Sequence, residues 1–299
     1  MKDCISLKKK INNMSLLSFL RRQLKRKKHT FLVSNSETLK MMDINLSKCR
    51  IIGVDTEFDW RTTYFPKLSI VQLSTENNLF LIDCLKVNPK IILKKYIENK
   101  NILKIFHSAR SDTTVLSKCL DCKTKNNFDI QVAEKFLENG EVKAYGKIVK
   151  KYFGINLKQA ETNSNWLRRP LTEDQISYAF EDVDYLIDIY YFQKKKLIRN
   201  DLLKRVLEAS KTEADLGNES LKKLRIKKNQ NKLSNRNINI FKWREEIAES
   251  QDVPPTYIFQ DKYLNKLSKI TNTDNSSKKQ IMAIIGDTKL TEEFISKFL

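Results

Sequence analysis

Four carboxylates and a tyrosine carry the most chemical potential in this chain. Asp55 and Glu57 stand one residue apart in the run IIGVDTE, Ile51–Glu57, where an apolar strand ends. Residues i and i+2 of a strand share a face, so both side chains can project together. Two adjacent anions at a buried strand end are costly unless a cation compensates them. The plainer alternative is a turn with solvated carboxylates. Asp112 falls at or near a helix start in the run FHSARSD. Tyr178 and Asp182, in the run ISYAFEDVDYL, are i and i+4 and share a helical face; Asp184 turns away from it. Carboxylates converging on one spot imply hard cations, and oxygen ligands favour Mg²⁺ or Mn²⁺. Two such ions about 3.5–4 Å apart clamp the attacking and leaving oxygens of an in-line phosphoryl displacement. A tyrosine hydroxyl beside them can position the attacking water.

The elements that must position these groups follow from pattern. Thr30–Val33 reads as a first strand, and Ser34 with Glu37 has capping-box spacing, opening a helix to about Leu46. Strands follow at Ile51–Asp55, Leu68–Leu73 and Leu79–Asp83, then a helix over Asn88–Ile97 and a strand at Leu103–Phe106. From His107 onward the pattern is helical, over 111–120, Phe128–Leu137 and Ala144–Phe153. Asn163–Pro170 is a loop. Thr172 with Gln175 gives a second capping box and opens a long helix, with helical periodicity continuing to about Lys211. This order predicts an α/β fold with a mixed central sheet flanked by helices. Residues 212–236, rich in Lys and Asn, read as a linker with one short helix, Glu219–Leu224. Residues 237–299 read as a small all-helical domain in which Ile240, Trp243 and Ile247 share one face. The expected organisation is a basic extension over 1–28, a catalytic domain over 29–211, the linker, and the helical domain.

Composition narrows the partners. The 299 residues suffice for roughly two domains. A formal net charge of +20 predicts a polyanionic partner, nucleic acid or an anionic membrane surface. The five cysteines, Cys4, Cys49, Cys84, Cys119 and Cys122, lack regular spacing, which argues against a secreted disulfide framework. Cys119 and Cys122 form a lone C-x-x-C, too few ligands for a structural zinc site, and are read as incidental on a helix. No run approaches the ~20 apolar residues of a membrane span, and the expected location is reducing cytoplasm. Residues 1–28 suit an organellar presequence, a nucleic-acid-binding arm, or an over-long gene start with Met14 as initiator.

Several runs in order carry a resemblance. They are Val54-Asp55-Thr56-Glu57-Phe58, then Arg61–Leu68 and Val71-Gln72-Leu73; Phe106-His107 through Asp112; Phe128–Ala133; and Trp166-x-x-Arg-Pro-Leu followed by Tyr178-x-x-x-Asp182. Together they resemble the ribonuclease D family of the DEDD superfamily of 3′→5′ exonucleases, over about residues 30–210. Phe241–Glu246 and Val253-Pro254-Pro255 resemble the HRDC domain. The resemblance implies a ribonuclease H-like fold and two divalent metal ions. It implies that Asp55, Glu57 and Asp182 bind the first ion, and that Asp55 binds the second with Asp112 acting directly or through water. Tyr178 would orient the nucleophilic water and places the chain in the tyrosine branch. The implied activity is hydrolytic trimming of RNA with a single-stranded 3′ end, with tRNA precursors as the substrate class and nucleoside 5′-monophosphates as product. A monomer is expected.

Phe58, Gln72, His107, Trp166 and Arg168 are the candidate substrate contacts. Each has a blander reading: a packed histidine for His107, a buried strand amide for Gln72, a core-anchored tryptophan for Trp166. Asp129 reads as a helix N-cap rather than a ligand. Lysine runs at 8–10, 25–28 and 222–228 are solvated faces that also track RNA phosphates. Two other functions compete: a DNA exonuclease of the same superfamily, and a non-catalytic RNA-binding protein.

Overall fold

The computed structural model describes residues 27–157, 161 and 163–299; the 8–10 lysine run and most of the basic extension lie outside them. Two compact units are present. One comprises Leu68–Asn218 with the described residues up to Asp59, and the other Trp60–Lys67 with Glu219–Leu299.

The first unit contains β1 (His29–Val33), α1 (Ser36–Leu46), β2 (Ile51–Asp59), β3 (Lys67–Ser74), β4 (Asn78–Asp83), α2 (Lys90–Ile97), β5 (Leu103–Phe106), α3 (Arg110–Leu120), β6 (Asn127–Asp129), α4 (Ile130–Leu137), α5 (Tyr145–Phe153), α6 (Glu173–Asp184), α7 (Leu186–Arg199) and α8 (Leu203–Asn218). The strands form one six-stranded sheet ordered β1-β4-β3-β2-β5-β6. β3 and β4 pair antiparallel, Gln72 opposite Leu81, while β2–β5 and β5–β6 pair parallel, Gly53 opposite Ile105 and Phe106 opposite Asp129. The sheet is therefore mixed, as expected, with a core on each face.

Alternation along the strands builds those cores. Ile52, Val54, Val71, Leu73, Phe80 and Ile82 pack against α1, α2 and α3 through residues such as Met42, Leu93 and Val115. On the other face, Ile51, Ile105 and Phe128 pack with Val149, Val183 and Ile189 of α5, α6 and α7, and Ile70 and Leu81 meet Trp166 and Ala179. Gly53 is required at the crossing: an added Cβ would lie 2.2 Å from the Ser74 hydroxyl and 3.1 Å from Leu186.

Several expectations shift. The first capping box is Asn35 with Thr38, one residue beyond the Ser34–Glu37 pair. The helix expected over Phe128–Leu137 starts at Ile130, because Phe128 and Asp129 extend the sheet as β6. Cys122 lies beyond the end of α3. The long helix expected from Thr172 to about Lys211 is broken into α6, α7 and α8, with breaks at Tyr185 and at Asp201, whose φ is +53°. Part of the expected linker is helical, since α8 runs on to Asn218 and packs on α3 and β6. Lys28, expected on a solvated face, is buried: its ammonium donates to the Asp184 carbonyl at 2.5 Å and pairs with Asp184 at 3.5 Å and Asp188 at 3.8 Å.

The second unit adds α9 (Leu221–Asn229), α10 (Asn235–Gln251), α11 (Pro255–Ile258), a 3₁₀ turn (Asp261–Tyr263), α12 (Leu264–Lys269), α13 (Asn275–Ile285) and α14 (Thr288–Phe298). Trp243, Ile240 and Ile247 are buried in its core, and so is Tyr64 of the 60–67 segment. The Tyr64 hydroxyl donates to Glu245 at 3.1 Å, and the Asp252 carboxylate accepts from the Tyr64 and Phe65 amides at 3.1 and 3.0 Å.

Candidate active site

Asp55 and Glu57 both lie within β2, which continues to Asp59. That removes the solvated-turn alternative: the strand extends past both residues and directs them to one face. Asp182 comes from α6, whose start is set by the reciprocal Thr172–Gln175 capping box. Oxygens of Asp55, Glu57 and Asp182 lie within 4.8 Å of one another. Tyr178, one turn earlier on α6, hydrogen-bonds the Asp182 carboxylate.

Asp112 comes from the first turn of α3 and is 5% exposed. The Thr56 hydroxyl, between Asp55 and Glu57, donates to its Oδ1 at 2.6 Å. The charge of Asp112 is felt at both Asp55 and Glu57. The preceding turn is pinned by Asp129, the N-cap of α4, which accepts from the Gln131 and Val132 amides. The same carboxylate accepts from the Ser108 and Ala109 amides at 3.0 and 2.8 Å. Asp129 is thus a structural anchor, as its spacing predicted.

The electrostatics are those of an anion cluster awaiting a cation. Burial pushes Asp55 well above the ordinary carboxylate range, and the charges of Asp112, Asp182 and Glu57 add to it. Burial, then Asp182 and Asp112, pushes Glu57 up to about 9. Burial pushes Asp112 up to about 7 against the opposing Thr56 hydrogen bond, and Asp182 up to about 7 against that from Tyr178. Among the described residues, no lysine or arginine forms an ion pair with any of the four. Carboxylate oxygens at this spacing fit a hard divalent cation, which would relieve the repulsion that now favours protonation.

The candidate substrate contacts fare differently. Arg168 is exposed. Trp166 is 2% exposed, with its ring 6.1 Å from that of Tyr178, so it is a core anchor rather than a stacking platform. Gln72 is fully buried on β3, the blander reading of a strand amide. Phe58 lies on the opposite face of β2 from Asp55 and Glu57 and packs on the core. His107 Nε2 meets the Lys143 carbonyl at 3.1 Å, which only an N–H donor satisfies, so it is a packed, hydrogen-bonded residue.

Three further features escaped the sequence reading. Thr56 was legible only as the residue between two acids. Arg169, the arginine of the Trp-x-x-Arg-Pro run, grips Asp83 with two bonds of 2.7 Å and donates to the Trp166 carbonyl at 2.7 Å, fastening the loop before α6 to the sheet. Tyr145, at the start of α5, lies near enough to feel Asp182 and Asp55; burial first, then Asp182, pushes its hydroxyl well above the ordinary value.

Comparison with known proteins agrees with this geometry. A family model described as 3′-5′ exonuclease matches residues 30–198, and one described as HRDC domain matches residues 239–299. Ribonuclease D of Desulfotalea psychrophila is 28% identical over 253 residues, 81% of this chain and 67% of the relative. Ribonuclease D of Bartonella henselae is 29% identical over 262 residues, 85% of this chain and 64% of the relative. The chain thus spans about two thirds of the length of these curated relatives. Among solved structures, Escherichia coli RNase D, described as an exoribonuclease involved in structured RNA processing, superposes with a TM-score of 0.76. Its identity is 21%, over 90% of this chain and 75% of that one, a likeness of fold.

Proposed function

The chain belongs to the 3′-5′ exonuclease family, and from that membership we propose that it is a metal-dependent hydrolytic 3′→5′ exoribonuclease of the ribonuclease D kind. Its substrates are RNAs with a single-stranded 3′ end, tRNA precursors foremost, and its products nucleoside 5′-monophosphates. The observation that carries the reading is the convergence of Asp55, Glu57 and Asp182 within 4.8 Å, with Tyr178 bonded to Asp182.

Asp55, Glu57 and Asp182 would hold one Mg²⁺ or Mn²⁺, and Asp55 with Asp112 a second. When bound, such ions stabilise the charge that develops on the attacking and leaving oxygens. The rest falls to the chain. Tyr178 donates its proton to Asp182 and keeps its oxygen lone pairs to accept from the attacking water. Thr56 holds Asp112 by its hydroxyl. Arg168, exposed ahead of α6, neutralises a phosphate of the entering strand. The net charge of +20 draws RNA to the surface and makes binding salt-sensitive. Catalysis is assigned to residues 29–211 and a supporting role in holding structured RNA to the HRDC-like unit. No helix among the described residues is long and apolar enough to cross a membrane, and we place the protein, as a monomer, in the cytoplasm.

A 5′-labelled tRNA transcript with a 3′ extension, incubated with Mg²⁺, Mn²⁺ or EDTA, tests this. The expected result is a ladder shortening from the 3′ end only with metal, abolished by Asp55→Ala while RNA binding persists. Tight binding with no shortening under any metal would leave an RNA-binding protein. Shortening of matched DNA but not RNA would point to a DNA exonuclease.

A further inference from the structure

Tyr145 belongs to none of the motifs above, yet it touches the helix that bears Asp182 at a telling place. In an uninterrupted α-helix the amide of residue 185 donates to the carbonyl of residue 181. Here the Tyr145 hydroxyl stands between those two groups. It donates to the Glu181 carbonyl at 3.1 Å and accepts from the Tyr185 amide at 3.3 Å. A side chain inserted into the i→i−4 ladder is an established cause of helix kinks. The helix does break at this point: α6 ends at Asp184, α7 begins at Leu186, and Tyr185 takes φ −101° and ψ −5°, outside the usual helical pair.

Asp182 lies inside the opened turn, one residue beyond the carbonyl that Tyr145 occupies. His107, which precedes α3, and Gln131 of α4 hold the backbone just before Tyr145. The Lys143 carbonyl, two residues before Tyr145, accepts from Gln131 Nε2 at 3.1 Å and meets His107 Nε2 at 3.1 Å. The His107 ring lies 5.6 Å from the Tyr145 ring. His107 precedes α3, which bears Asp112, and Gln131 is held in the first turn of α4 by Asp129, which also pins Ser108 and Ala109. A continuous set of contacts thus runs from the turn that presents Asp112 to the turn that presents Asp182.

We propose that Tyr145 is a positioning residue for the metal site: its hydroxyl, wedged between Glu181 and Tyr185, holds open the helical turn that aims Asp182 at Asp55 and Glu57. His107 and Gln131 hold the wedge in place, which gives His107 a role without substrate contact. The inference rests on Asp55, Glu57 and Asp182 being metal ligands. Removing the hydroxyl lets the 181–185 helical bond close and turns Asp182 away from the other two carboxylates.

Tyr145→Phe keeps the ring against His107 and removes only the wedge. Mn²⁺ affinity of the full chain, measured by electron paramagnetic resonance, is expected to fall about tenfold, the lower end of the ~10–100-fold range for residues that orient metal ligands. The Mg²⁺ concentration for half-maximal RNA trimming should rise by a similar factor, while the rate at saturating Mg²⁺ stays within about threefold of wild type. A drop in melting temperature with unchanged Mn²⁺ affinity would mark Tyr145 as merely structural and overturn the proposal, as would unchanged behaviour throughout. If Tyr145→Phe does not fold, Gln131→Ala carries the test: it loosens Lys143 but leaves the hydroxyl, and unchanged Mn²⁺ affinity there also overturns it. Asp55→Asn separates the two readings. If it leaves Mn²⁺ binding intact, the metal assignment itself fails; if it abolishes binding while Tyr145→Phe does not weaken it, only the wedge fails.

Discussion

Asp112→Asn should make the metal-free protein more stable and the enzyme inactive, and the size of the first effect can be worked from the site. Asp112 is 5% exposed, and burial pushes it from its ordinary 3.8 up to about 7. A carboxyl raised in this way binds a proton more tightly folded than unfolded. Its contribution is therefore fully present below about pH 4 and is lost as pH rises towards and through about 7. At about 1.4 kcal/mol for each tenfold change in proton affinity, the interval from 3.8 to about 7 amounts to roughly 4 kcal/mol lost at pH 8. Asparagine carries no charge to desolvate, and its Oδ1 can still accept the 2.6 Å bond from Thr56. Urea unfolding in EDTA should find the variant about 2–4 kcal/mol more stable than wild type at pH 8, and nearly equal to it at pH 4. With Mg²⁺ present, wild type should gain more than the variant and close the gap, since the variant keeps the Asp55, Glu57 and Asp182 cluster but lacks the Asp112 charge that a second ion compensates. A variant no more stable than wild type at pH 8 in EDTA would refute the picture of Asp112 as a buried acid held in place for a cation.

Other expectations follow from the same contacts. Tyr178→Phe should lower kcat by about 10²–10³ with Mn²⁺ affinity changed only a few-fold, because it removes one pre-aimed hydroxyl and no ligand; a near-normal rate would strip Tyr178 of its role. Arg169→Ala should destabilise the fold by about 3–5 kcal/mol in urea unfolding, because it leaves Asp83, 2% exposed, without its two 2.7 Å bonds. An unchanged urea midpoint would show that the loop before α6 is held by other means.

What was legible in the sequence was whatever local chemistry decides. The apolar runs of β3 and β4 and the Thr172–Gln175 box each depend on neighbours within a few residues, and each stands where it was expected. The spacing of Tyr178 and Asp182 depends only on helical pitch. Features decided by distant partners were not legible. Lys28 is buried because Asp184 and Asp188 wait for it far along the chain. Trp166 is buried because Arg169 and Ser69 draw its loop onto the sheet. An exposed tryptophan beside two arginines has the same local sequence. The break at Tyr185 is invisible to periodicity, since Tyr145 acts on it from 40 residues away.

The three elements that carry the carboxylates differ in how firmly they are held. β2 is an inner strand, bonded to β3 and β5, so Asp55 and Glu57 inherit the rigidity of the sheet. Asp112 is tied to that strand directly by the Thr56 hydroxyl. Asp182 alone sits on a helix whose regular hydrogen bonding is interrupted beside it, and the hydrogen bond that it accepts from Tyr178 comes from the same helix. An inner strand has few alternative conformations, whereas an opened helical turn can close by regaining one backbone bond. Repulsion among the four carboxylates acts on all of them, but displacement is easiest where the backbone has a second arrangement available. The geometry of Asp182 should therefore be the most sensitive to metal, and amide hydrogen exchange around residues 181–186 should slow on adding Mn²⁺ more than exchange in β2. Equal slowing in both segments, or none near Asp182, would contradict this ordering.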